Sequence, residues 1–120
     1  YPSVGQLPGN ADLAVFAIPG SGLLDVIEQC AAAGILHGVA FAGGFAEAGG
    51  AGADLQRSLA ALCRETGFKL CGPNCVGIIN ADMPMTATFA TALKEARERR
   101  KPVVLIKTGT RGISSAPSVA

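Results

Sequence analysis

The sequence predicts an α/β fold built on a parallel sheet, and three observations predict it. Short apolar runs recur at residues 12–18, 38–42 and 68–71. Between them lie two stretches whose apolar residues return every three or four positions. Each run ends in a loop of small residues, at 19–22, 43–52 and 72–75. The order strand, helix, strand, helix, strand is that of parallel βαβ units with right-handed crossovers. In such a sheet the three loops share the edge formed by the strands' carboxyl ends, where ligands bind.

Residues 1–10 read as a loop punctuated by Pro2, Gly5, Pro8 and Gly9. The run 12–18 lacks alternation, which suits a strand buried on both faces. A helix follows, with Leu23, Ile27, Cys30 and Ala31 on its apolar face and Gly34 as its C-terminal cap. Residues 38–42 form the second strand. Asp54 opens a second helix, with Leu55, Leu59, Leu62 and Cys63 on one face and Gly67 at its end. Residues 68–71 are the third strand. Beyond it, Gly72 turns the chain without a Cβ clash, Pro73 fixes φ, and Asn74 offers both a donor and an acceptor. Past Asn80 the pattern changes to a loop at 82–85, a helix at 88–100, a buried strand at 102–107 and a tail loop at 108–117. On the shared edge, backbone N–H groups of the three loops can approach a phosphate or a pantetheine chain.

With 120 residues, the chain fits one small domain or pieces of two. A hydrophobic fraction of 49% against 16% charged residues excludes a disordered composition. No apolar run approaches the ~20 residues that span a bilayer, and no basic stretch followed by an apolar core opens the chain. A cytoplasmic protein without a membrane partner is expected. The net charge of +1 conceals an asymmetry: residues 1–60 carry one basic residue, Arg57, and residues 61–120 carry nine. Most of the excess lies in 94–111, where Glu95 and Glu98 interrupt it and Glu95 pairs with Arg99 at i,i+4 spacing. That is a solvated helix face, so no nucleic-acid partner is expected. The four cysteines include no Cys-x-x-Cys pair, and the single histidine, His37, stands at ligand spacing from none of them, so no metal is expected. Cys30 and Cys63 read as core residues, and Cys75 is the one nucleophile near the loop edge. Reduced thiols agree with the cytosol.

Residues 12–19, the segment Gly43-Gly44-Phe45-Ala46-Glu47, and residues 72–80 together resemble the CoA-binding domain of the NDP-forming acyl-CoA synthetases. ADP-forming acetate–CoA ligase and the α subunit of succinyl-CoA ligase belong to that family. The likeness runs in order over residues 1–89, and 85–89 resembles the segment leaving that domain. Residues 90–120, through Lys101-Pro-Val-Val-Leu-Ile-Lys-Thr-Gly109, are similar to part of the family's later ligase domain. The expected fold is therefore α/β: a partial Rossmann-like parallel sheet (1–89) followed by a fragment of a flavodoxin-like ligase domain (90–120). On this resemblance the chain begins at the family's third strand, without its first Gly-rich loop, and stops before the family's phosphorylated histidine. His37 does not match that histidine's position.

The family makes acyl-CoA from an acid, CoA and a nucleoside triphosphate, passing a phosphoryl group through the missing histidine. An imidazole suits that role because its nitrogen is both nucleophile and leaving group near neutral pH. No catalytic residue is thus expected in this chain. The resemblance implies that Ile18 and Pro19 flank CoA, that Ala42, Gly43 and Gly44 approach it through their backbone, and that Asn74 makes a polar contact. It also implies that ATP or GTP with Mg is bound by an ATP-grasp domain or β subunit of the parent enzyme and not by this chain. The alternative is a non-catalytic CoA- or nucleotide-binding regulatory module, as in acetyltransferase fusions. An open sheet lacking its first strands would expose an apolar edge, which leaves a homo-oligomer open.

Overall fold

The computed structural model describes residues 1–9, 11–80 and 85–89. Three parallel strands, β1 (Ala14–Phe16), β2 (His37–Ala40) and β3 (Lys69–Cys71), lie in the order β1-β2-β3. Helix α1 (Leu23–Ala32) joins the first pair and α2 (Gly50–Thr66) the second. The register sets Ala14 against Gly38, Phe16 against Ala40, and Gly38 against Leu70. The α/β class and the parallel sheet are as the sequence predicts. A second unit was not foreseen: an antiparallel hairpin of β4 (Gly77–Asn80) and β5 (Met85–Thr88).

The two helices pack against each other, so both lie on one face of the sheet. Side chains alternate along a strand. Phe16, Ala40 and Leu70 therefore point toward the helices, where they join Leu23, Ile27, Cys30, Leu59, Cys63 and Phe68 in the core. Val15, Val39 and Cys71 share the opposite face. There the hairpin strand β4 lies against β2, Val39 is buried, and Phe41 meets Phe89 edge-on with ring centroids 5.1 Å apart. Val15, on the outer strand, stays 48% exposed. The continuous apolar run thus signals two covered faces for β2, but β1 is covered on one.

Gly38 sits in the middle of this arrangement. The rings of Phe16 and Phe68 close over it, with centroids 6.1 Å apart and planes tilted by 46°. A Cβ at position 38 would stand 2.5 Å from the Phe16 ring and 2.9 Å from that of Phe68. Aromatic rings are the largest apolar payload a small core can bury. Here the missing side chain of the central strand makes room for two of them.

Two expectations need correction. Helix α2 begins at Gly50, four residues before Asp54. Glycine is a poor helix former, yet a Cβ at Gly52 would lie 2.1 Å from the Phe45 carbonyl oxygen, so packing demands glycine in this first turn. The helix expected at 88–100 does not start at Thr88, which ends β5 paired to Gly77. Its remainder, the strand at 102–107, the tail at 108–117 and the ligase-domain fragment at 90–120 lie outside the described residues, as does most of the loop at 82–85. Gly34 and Gly67 follow the two helices with φ of 81° and 73°, the left-handed conformation of helix-ending glycines.

Gly38→Ala is expected to destabilise the chain by about 1–3 kcal/mol, the range for overpacking. Chemical denaturation would read this as a lower midpoint. Gly22→Ala, where no atom lies within 4 Å of the added carbon, serves as the control and should change stability by about 0.5 kcal/mol or less.

Candidate functional site

The three strand-end loops meet at the carboxyl edge of the sheet through two contacts. Gly20, after β1, packs so closely on the second loop that a Cβ there would reach 2.9 Å from the Gly43 carbonyl oxygen and from the Phe45 ring. Asn74, after β3, donates its backbone N–H to the Ala42 carbonyl at 2.8 Å. The first loop thus leans on the second, and the third is tied to it.

The tie depends on two residues with left-handed φ. Gly72 has φ of 121° beneath the Ala40 carbonyl, which would stand 2.5 Å from any Cβ. Asn74 has φ of 53°, a conformation that asparagine tolerates better than most residues. The Gly72–Pro73 peptide bond between these strand-end turns is cis.

Of the residues singled out from the sequence, Pro19, Gly43, Gly44 and Asn74 are exposed at this edge. Ile18 is half-buried, and Ala42 is buried with its carbonyl taken up by Asn74. The fold therefore brings all six to one rim. His37 opens β2 and lies in register with Lys69, at the opposite end of the strands. Cys75 is half-buried, with Sγ 3.3 Å from the Ala40 carbonyl and 3.5 Å from that of Cys71, under the third loop. Burial pushes the Cys30 and Cys63 thiols up from their ordinary pKa, for Cys63 against the opposing pull of Arg64. Both are inert core residues.

One residue of the site was missed. The Glu47 carboxylate accepts a hydrogen bond from the Gly44 N–H at 2.8 Å. The N–H of Glu47 itself, opposed by slight desolvation and followed by those of Phe45 and Gly44, holds this carboxyl below the ordinary glutamate range. A glutamate reaching back three residues to a loop N–H is the reciprocal half of a capping box. That spacing was the available signal. Nearby, the Gln56 side chain accepts from the Ala46 N–H at 3.1 Å.

Chemically, the rim offers peptide groups, small side chains, the Asn74 amide and one carboxylate. Among the described residues, no group of three His, Cys, Asp or Glu side chains could hold a metal ion. Among the same residues, no helix is long and apolar enough to cross a membrane.

Residues 1–81 match the family of the CoA binding domain. Over 95 residues, 79% of its length, the chain is 40% identical to acetate–CoA ligase [ADP-forming] I of Archaeoglobus fulgidus, of which it covers 14%. It is 34% identical, again over 79% of its length, to the α subunit of acetate–CoA ligase [ADP-forming] II of Pyrococcus furiosus, of which it covers 21%. Among solved structures it superimposes on the dinucleotide forming acetyl-coenzyme A synthetase 1 of Ca. Korarchaeum cryptofilum, in complex with phosphate and ADP. The TM-score is 0.68 at 34% identity, covering 74% of this chain and 19% of that one. The chain thus spans about a seventh to a fifth of the length of these relatives.

The depressed pKa of Glu47 fixes a sign. Its clamp on the loop is complete above the ordinary glutamate value and is lost as pH falls through the lower folded value. The Gly44 amide resonance should therefore titrate with a midpoint below that of glutamate in an unfolded peptide. A midpoint at or above the peptide's would contradict the clamp.

Proposed function

The chain belongs to the CoA binding domain family, and from that premise we propose that it is the CoA-holding part of an acid–CoA ligase. The parent reaction is acyl-CoA formation from an acid and CoA, driven by a nucleoside triphosphate and releasing the diphosphate. The observation that carries this reading is the Asn74 N–H to Ala42 carbonyl bond, which joins two strand-end loops into one rim. The relatives, named as ADP-forming ligases, support the reaction class.

In this reading Ile18 and Pro19 flank the ligand from the first loop. Ala42, Gly43 and Gly44 approach it with their main chain, because nothing larger than a methyl group stands between ligand and backbone there. Asn74 has a side-chain amide free to donate and accept while its backbone N–H keeps the loop in place. The rim binds and orients; positioning of this kind is how a binding domain contributes to rate. ATP or GTP with magnesium belongs to another part of the parent enzyme, an ATP-grasp domain or a β subunit. The relative named as a subunit α supports an enzyme divided in that way.

Two measurements test the reading. Titrating the labelled chain with CoA should shift the amides of Ile18, Ala42, Gly43, Gly44 and Asn74. Changes confined to other regions, or no change at all, would remove the site. Incubating the chain with ATP, magnesium, CoA and a panel of short acids should yield no thioester. Its single histidine, His37, stands at the wrong end of β2, and Cys75 could exchange an acyl group without driving its synthesis. Thioester that accumulates and survives His37→Ala would reveal a nucleophile outside this account.

A further inference from the structure

Whether a loop of small residues takes up an anion depends on its free N–H donors. In the second loop several of them are committed, the Gly44 N–H to a carboxylate. Gly44 donates to the Glu47 carboxylate at 2.8 Å and Ala46 to the Gln56 side chain at 3.1 Å. Ala48 donates to the Phe45 carbonyl at 2.8 Å, and Gly49 to that of Ala46 at 3.1 Å. In the first turn of α2, Gly52 donates to the Gly49 carbonyl at 2.8 Å. From 44 to 49, four of the six backbone donors are thus spent within the protein.

Resting on the reading that this rim holds CoA, the geometry points to Glu47 as the residue that closes the second loop to phosphate and reserves it for the uncharged part of the ligand. CoA carries both kinds of group, so which loop rejects the charge sets the direction in which the molecule lies. A phosphate arriving at Gly44 meets a carboxylate tethered three residues away. Displacing it gains nothing, because the carboxylate stays nearby as a like charge. An amide-bearing, neutral chain suffers no such repulsion and can run along Ala42, Gly43 and Gly44. The first loop is different in this respect, since residues 13–24 contain no charged side chain. Glu47 acts here through the loop it occupies and is a specificity-determining residue, with no part in bond making.

The test uses the full 120-residue chain and inorganic pyrophosphate as the probe, followed through the amides of Gly44, Phe45 and Glu47. In the native chain these should not respond to pyrophosphate. In Glu47→Ala they should shift saturably, with affinity raised roughly tenfold or more, the scale of removing a like charge at contact distance near a protein surface. Equal pyrophosphate affinity in both chains overturns the proposal. Should the alanine variant lose its dispersed amide spectrum, Glu47→Gln decides. It keeps an acceptor for Gly44 and drops the charge, so a gain in pyrophosphate response supports the proposal and an unchanged response overturns it. Pantetheine, which lacks phosphate, should shift Gly43 and Gly44 in the native chain; pantetheine shifts confined to other loops contradict the reserved path. CoA that shifts no amide defeats the CoA reading alone, while the pyrophosphate comparison still decides the exclusion.

Discussion

The site depends on the burial of Phe45. It is a loop residue, yet its side chain is fully buried. Its ring sits where a Cβ of Gly20 would be, and its carbonyl presses where a Cβ of Gly52 would be. One side chain therefore fixes the first loop, the second loop and the start of α2 relative to each other. Burying a phenylalanine contributes about 1.5–3 kcal/mol, a large share of what a domain of this size has to spare. Without that anchor, residues 43–49 would have only hydrogen bonds at an exposed rim to order them.

The same economy of space recurs in the sheet. Gly38 stands to Phe16 and Phe68 as Gly20 and Gly52 stand to Phe45: a missing side chain receives an aromatic ring or a carbonyl. A few glycines thus serve contact between elements as well as turning of the chain. Close packing of this kind leaves little room for adjustment, since interiors respond to changes of a single carbon. The rim inherits its geometry from the core through these contacts, which is how an arrangement of small residues can be rigid.

Much of this was legible in the sequence, for physical reasons that differ by element. Parallel topology puts the loops after the three strands on one edge, and the family resemblance then picks residues 18–19, 42–44 and 74 at that edge, without any distance being known. The apolar run at 12–18 misled in one respect, because the exposure of Val15 depends on how many neighbours β1 has, which no local window records. The early start of α2 was hidden because glycine's low helix propensity was overridden by the Phe45 contact. The hairpin escaped because Ile78, Ile79, Thr86 and Thr88, a β-branched set on two short strands, were not weighed as a pair. Glu47 escaped because a carboxylate beside glycines reads as solvated until its reach to Gly44 is seen.

The bond between Asn74 and Ala42 bears on how the rim would respond to heat. Its donor lies beyond β3 and its acceptor beyond β2, so it ties the third loop to the second across the edge of the sheet. Local openings in proteins usually begin in loops, well below the temperature of global unfolding. Here the loops brace one another, by the Asn74–Ala42 bond and by the Phe45 ring packed on Gly20, so opening one of them costs contacts of the next. A ligand that binds only the folded form with its loops so braced would raise the temperature at which they come apart.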